Sequence, residues 1–251
     1  MRVITLFKAT ALELAILTCH LFLYPTGVAQ ERRTARAPAG RGIPVVLLHG
    51  FIDNRSVFIL LRRSLTRHGR RHLESLNYSP LTCDLRGAAG LLGRHVEDIC
   101  ARTGHDRVDI VGHSLGGLIA RYYVQRLGGD QRVRTLVTLG TPHSGTTVAP
   151  LAGAHPLVRQ MRPGSAVLRE LSEPAPHCRT RFVSFWSDLD RLMVPVEAAR
   201  LDHPDLITRN IRVTGIGHLA LPVHPAVAAE IRQVLDSEDP AAGTIGSTSA
   251  A

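Results

Sequence analysis

Lysine is all but missing from this chain. Lys8 is the only one in 251 residues, so the formal charge of +9 is carried almost wholly by arginine. Aromatics are scarce too, at 4% of residues, with Trp186 the single tryptophan. Nucleic-acid surfaces gather basic side chains on one face and interleave them with aromatics. Here the arginines are scattered, as at Arg62, Arg67, Arg71, Arg126 and Arg134, so no nucleic-acid partner is expected. The charge excess reads either as attraction to an anionic membrane surface or as a solvated, arginine-biased exterior, and the second is preferred. Cysteine is sparse and badly spaced for metal or redox work: Cys19, Cys83, Cys100 and Cys178 form no C-x-x-C pair. That excludes the common zinc and thioredoxin-type arrangements. One disulfide with a leftover thiol, or three thiols in the body, both remain open. No metal and no organic cofactor is called for.

What is there is organised around one stretch, from Val108 to Leu118. A short apolar run leads into Gly112-His113-Ser114-Leu115-Gly116, and a helix-like segment follows to Leu127. Gly-x-Ser-x-Gly between a strand and a helix is a nucleophile elbow. The serine sits on a sharp, strained turn, so the residues two places to either side cannot carry bulk. The helix behind it turns its positive end toward developing negative charge. An ester does not react usefully with a neutral alcohol at pH 7. Ser114 therefore needs a base to take its proton, and the same group must protonate the leaving alcohol. Histidine suits that exchange, and a carboxylate must fix its tautomer. The elbow also offers the N–H of Leu115 to the oxyanion, where one donor is worth about 3 kcal/mol.

The rest of the chain alternates strand and helix. Pro44–Leu48 is a continuous apolar run, as expected of a strand covered on both faces. Ser56–His68 is an amphipathic helix stopped by Gly69, His72–Tyr78 a strand, and Gly87–Thr103 a helix stopped by Gly104. Arg107–Val111 feeds Ser114, and Val133–Leu139, Arg181–Trp186 and Arg212–Ile216 are further strands. Pro225–Leu235 is a last helix. This pattern predicts a mostly parallel central sheet with helices on both faces, in which ligands bind beyond the carboxyl ends of the strands. Residues 43–236 form that α/β domain. Residues 148–178 are proline-broken and aliphatic, too long for a bare loop, and read as a small helical cap over the active-site rim. Within it, Leu157, Met161 and Val167 are candidates either to face substrate or to pack the cap to the body. Residues 237–251 read as a disordered tail and 30–42 as a linker.

Residues 1–29 admit several readings. Arg2 and Lys8 precede an apolar run from Ala9 to Leu23, and Gly27-Val28-Ala29 offers small residues for cleavage, as in a secretory signal. Glu13 and His20 interrupt the run, seven apart and therefore on one helical face. A membrane anchor, and a helix retained on a cytoplasmic enzyme, are the alternatives to secretion.

With these residues in view, the chain resembles a bacterial lipase or esterase of the α/β-hydrolase family, nearest to actinobacterial triacylglycerol-lipase-like proteins. The likeness rests on His49-Gly50-Phe51, the Gly112 elbow, Gly140-Thr-Pro-His-Ser-Gly145, Trp186-Ser-Asp-Leu-Asp190 with Val194-Pro195, and Gly217-His218-Leu219. It implies an α/β-hydrolase fold, a lipid or small-ester substrate, a membrane surface as a candidate partner, and Phe51 as the second oxyanion N–H. The order Ser114, Asp190, His218 is that of the family. His218 ranks first among 13 histidines because it follows the last strand; His49, His143, His203 and His224 rank below it. The acid is Asp190 by the Ser-x-x-Asp pattern, but three residues separate it from Val194 where many relatives have two. Asp188 therefore stays open. An acyltransferase using the same triad, and an inactive hydrolase fold used for binding, are the competing functions.

Overall fold

The computed structural model describes residues 2–29, 42–79, 84–148 and 155–237. Among the described residues, six strands form one wholly parallel sheet: β1 (Val45–Leu48), β2 (Leu73–Leu76), β3 (Val108–His113), β4 (Val133–Leu139), β5 (Arg181–Ser187) and β6 (Ile207–Val213), in the order β2-β1-β3-β4-β5-β6. The order reverses between β1 and β3, which places the ligand crevice beyond their carboxyl ends. The sequence alternates accordingly. Val45 and Leu47 enter one core layer, and Val46 and Leu48 enter the other.

On one face, the layer is built from α3 (Leu85–Thr103) and α4 (Leu115–Arg126), with two short helices, α5 (Pro156–Gln160) and α6 (Ala166–Ser172), packed against them. The opposite layer comes from α2 (Ile59–Arg67) and α7 (Pro225–Asp236). Local chemistry sets the ends. Asp84 accepts from the Gly87 N–H at 2.7 Å and starts α3 two residues before the expected Gly87; Gly104, at φ +72°, ends it. The helix expected over Ser56–His68 divides into a 3₁₀ turn at Arg55–Phe58, capped by Asn54, and then α2.

One expectation about the sheet needs correction. The last strand is Ile207–Val213, not Arg212–Ile216. It is the sheet edge, half solvated, and its Thr208, Arg209, Asn210 and Arg212 dilute the apolar run that marks the buried strands. In the segment expected to form a cap, the described part packs on α3 and α4 and reaches the pocket through Val158 and Met161. Arg121 is buried in α4 and donates to the carbonyls of His143 (3.0 Å) and Leu171 (2.9 Å); burial pushes its pKa down to about 9. Gln160 accepts from the Leu85 N–H at 2.9 Å, and Glu170 pairs with Arg86 and Tyr122. Residues 149–154, most of the 30–42 linker, Cys83 and the tail beyond Ser237 lie outside the described residues. Cys19, Cys100 and Cys178 carry free thiols.

The N-terminal segment is one helix, α1 (Arg2–Gly27), long and apolar enough to cross a membrane. It lies along the body of the domain and meets the turn at Arg55–Phe58.

Candidate active site

Ser114 caps α4 at φ 52°, ψ −121°, a strained conformation for a residue with a side chain. Ile52, beside Phe51, is the other non-glycine residue at positive φ among the described residues, with φ 64°. Both strained residues thus flank the crevice between β1 and β3. The elbow glycines are there for closeness. A Cβ at Gly116 would lie 2.4 Å from the Leu48 carbonyl oxygen, and one at Gly112 would lie 2.5 Å from the Gly117 backbone. The turn is fixed from below: the Ser114 N–H donates to Leu139 O at 2.9 Å, and Thr141 Oγ1 donates to Ser114 O at 2.9 Å. Leu115 is the first residue of α4, where backbone N–H groups have no partner within the helix.

His218 and Ser114 line the same pocket. The His218 Nδ1–H donates to Asp190 Oδ2 at 2.7 Å, and both residues are buried. The other carboxylate oxygen accepts from the N–H groups of Leu192 (2.9 Å) and Met193 (3.1 Å). Three hydrogen bonds therefore fix Asp190 in place, and the one from Nδ1 fixes one tautomer of the ring. Burial works against protonation of His218, but the charge and hydrogen bond of Asp190 outweigh it, and Glu13 and Asp53 add to them. The imidazole pKa is raised. Gly140, at φ +55°, makes room for the pair: its Cβ would lie 2.9 Å from His218 Nδ1 and 3.0 Å from Asp190 Oδ2.

Asp188 goes elsewhere. It faces Arg212 at 3.2 Å and accepts from the Gly215 N–H at 3.3 Å, bracing the turn after β6. His49 is a brace as well, stacked on Tyr78 at 4.4 Å with its Nδ1 against Gly50 O. His143 is buried against Thr138, and burial holds its pKa well below the ordinary histidine value. His113 sits behind the site, its ring 4.7 Å from that of His218 and 3.7 Å from Asp53.

The pocket above Ser114 has a volume of about 620 Å³. Phe51, Val158, Met161, Leu192, Met193 and Leu219 give it an apolar lining. Of the three cap candidates, Met161 faces this space. Leu157 and Val167 are fully buried in the core layer with α3 and α4 and do not line it. Sequence reasoning missed a whole wall: Leu17, His20, Leu21 and Tyr24 of α1. The signal was present in the pairing of Glu13 and His20 on one face of an apolar helix. Among the described residues, no group of three His, Cys, Asp or Glu side chains is placed to hold a metal ion.

Comparison with known proteins fits this geometry. A family described as palmitoyl protein thioesterase matches residues 44–195, a span that takes in Phe51, Ser114 and Asp190 and ends before His218. A triacylglycerol lipase of Pseudarthrobacter phenanthrenivorans is 30% identical over 113 residues, covering 42% of this chain and 35% of that lipase. The chain thus spans only a minor part of that relative's length. Among solved structures, a Bacillus licheniformis lipase in its mature form matches 81% of this chain and 96% of its own, with a TM-score of 0.66 at 16% identity. Aspergillus fumigatus lipase B matches 83% of this chain and 56% of its own, with a TM-score of 0.73 at 16% identity. Both structures are α/β-hydrolase relatives in fold.

Proposed function

The chain belongs to the palmitoyl protein thioesterase family, and from that membership we propose that it is a serine hydrolase cleaving acyl esters through a Ser114–His218–Asp190 triad. The observation that carries this reading is the 2.7 Å contact of His218 Nδ1 with a triply hydrogen-bonded Asp190, in one pocket with a strained Ser114. Ser114 Oγ attacks the acyl carbon while its proton passes to His218 Nε2. The carbonyl oxygen takes the negative charge and is met by the N–H groups of Phe51 and Leu115. The tetrahedral intermediate then collapses, the bond to the leaving oxygen breaks, and His218 returns the proton to it. Water, deprotonated by the same ring, releases the acid from Ser114.

The substrate reading follows from the lining. Apolar walls favour an acyl chain by about 0.8 kcal/mol per buried methylene. The family description favours a second substrate type, the acyl thioester, which the same steps cleave with a thiolate in place of the alkoxide. Away from the pocket, α1 carries Phe7, Leu14 and Phe22, all well exposed. It is suited to lie in a lipid surface, where such substrates reside. Flotation with phosphatidylcholine and phosphatidylglycerol vesicles tests that placement, and a full chain that stays with the soluble fraction speaks against it.

The test of the chemistry is labelling with a fluorophosphonate followed by hydrolysis of p-nitrophenyl butyrate, p-nitrophenyl palmitate and palmitoyl-coenzyme A. Ser114→Ala should abolish labelling and lower turnover by at least about three orders of magnitude while the fold is kept. A folded wild-type chain that neither labels nor turns over would return the fold to a binding role. Acyl transfer to an added alcohol in preference to water would make it a transferase.

A further inference from the structure

We propose that α1 is a permanent wall of the acyl pocket and that Glu13 is a positioning residue for the loop that carries His218. The inference rests on the hydrolase reading above and concerns a segment that length and hydropathy alone assign to export or anchoring.

Both carboxylate oxygens of Glu13 are engaged. Oε2 accepts from the Leu219 N–H and Oε1 from the Ala220 N–H, each at 2.9 Å. These are the two backbone amides that directly follow His218. On the other side of the histidine, Gly217 makes room for the same carboxylate, since a Cβ there would lie 2.5 Å from Glu13 Cδ. The loop is thus shaped around an acidic side chain that comes from outside the α/β domain. A carboxylate in an apolar helix is expensive unless its oxygens are satisfied. Here the satisfaction comes from the catalytic loop.

The second interruption, His20, follows two helical turns later on the same face. It is buried and lines the pocket, as do Leu17, Leu21 and Tyr24. Beyond them the helix is tied down again: Asn54 donates to Tyr24 O at 2.9 Å and Asn77 to Gly27 O at 2.7 Å. The two polar residues that spoil this segment as a hydrophobic span are therefore the two that face the site. Meanwhile the large apolar residues with most exposure, Phe7 and Phe22, face away from it.

The consequence for catalysis is geometric. Two amides held by one carboxylate fix the turn at residues 218–220, and with it the direction in which the imidazole presents Nε2 to Ser114. There is also an electrostatic consequence. The groups acting on the His218 ring are Asp190 from the loop after β5, Glu13 from α1, Asp53 from the loop after β1 and His113 from β3. The three acids favour its protonated form. Removing the charge of Glu13 should let the base stay unprotonated to lower pH.

Full-chain variants decide the matter. Glu13→Ala should lower kcat about 10- to 100-fold, because the loop loses its clamp, with a smaller change in KM for p-nitrophenyl butyrate. The acidic limb of kcat/KM should move to lower pH. Glu13→Gln keeps one acceptor, so it should recover part of kcat while the shift of the limb persists. Leu21→Trp should lower the palmitate-to-butyrate ratio of kcat/KM about tenfold without moving the limb. Intact mass of the active protein should include residues 1–29. Wild-type kcat and an unmoved limb in Glu13→Ala would overturn the inference, as would an active mature chain beginning near Gln30. If the Glu13 variants do not fold, an unchanged acyl ratio in Leu21→Trp still overturns it. Absent fluorophosphonate labelling of the wild-type full chain sinks the hydrolase reading itself, a different failure.

Discussion

The floor and the walls of the pocket are built on different terms. The floor, at the carboxyl ends of β1, β3, β4 and β5, holds polar groups fixed by directional bonds. Asp190 takes three hydrogen bonds, Ser114 is fixed through its own N–H and C=O, and Gly140 leaves the gap in which the His–Asp pair sits. The walls, from α1 and the edge of the cap, are mostly apolar side chains, such as Leu17, Leu21 and Met161, that touch the space without directional bonds. An interaction realised only in the transition state changes turnover for all substrates alike, whereas apolar contact with the acyl chain discriminates between substrates. Floor substitutions should therefore lower all chain lengths together, and wall substitutions should change the ratio between them.

The largest effect expected beyond the proposed nucleophile, Ser114, is at the proposed acid. Asp190→Asn should lower turnover about 10⁴-fold on butyrate and palmitate esters equally, because the wrong tautomer of His218 is then held. Asp188→Asn should leave turnover near wild type, since it breaks an exposed ion pair worth about 0–1 kcal/mol. The raised pKa of His218 gives this pair a pH signature. The ring must be unprotonated to act as base, so the acidic limb of kcat/KM should lie above the ordinary histidine value and fall toward it in Asp190→Asn. The reverse ranking of the two aspartates would move the acid to Asp188 and dissolve the floor as drawn.

A middle-sized effect tests whether closeness, and not chemistry, governs the floor. Gly140→Ala places a methyl group 2.9 Å from His218 Nδ1 at a backbone φ of +55°. Something must shift, and displacement of catalytic groups by around 1 Å costs about 100-fold. Turnover should fall by that order for every ester while fluorophosphonate still labels Ser114, more slowly. An unaffected enzyme would mean that the pair has slack that its hydrogen bonds do not reveal.

The same division explains what was legible in the amino-acid sequence. The floor could be read because its parts are local. The elbow is five consecutive residues, and buried parallel strands announce themselves as unbroken runs such as Val45-Val-Leu-Leu48. The proposed triad of Ser114, Asp190 and His218 follows chain order. Reading stopped where contacts cross between distant segments. Asp188 and Asp190 sit two apart in one loop, and only the turn after β6 and the His218 ring tell them apart. β6 was misplaced because a solvated edge strand mixes polar residues into its pattern. The clamp of Glu13 on the amides of Leu219 and Ala220 spans 206 and 207 positions, with no periodicity to betray it beyond the spacing to His20.

The smallest expected effect is on the cap, and it marks where the wall ends. All three cap candidates are buried in the layer with α3 and α4, but Met161 also lines the pocket, whereas Leu157 and Val167 do not. Three residues within one short segment should then behave as two kinds. Met161→Asn should cost the longer acyl chain about 1–2 kcal/mol of contact, roughly a 5- to 30-fold fall in the palmitate-to-butyrate ratio of kcat/KM, together with some loss of stability, since Met161 is also buried in the core layer. Leu157→Ala should leave that ratio alone and lower folding stability by about 2–5 kcal/mol, because it opens a cavity in the core layer. Val167→Ala should behave likewise with a smaller loss. Chain-length series on the three variants, paired with denaturant unfolding, separate the two outcomes. If Leu157→Ala moves the acyl ratio as far as Met161→Asn at unchanged stability, the cap reaches the substrate. The wall would then extend through it to α6, and selectivity would be set by both sides of the pocket instead of by α1 and Met161.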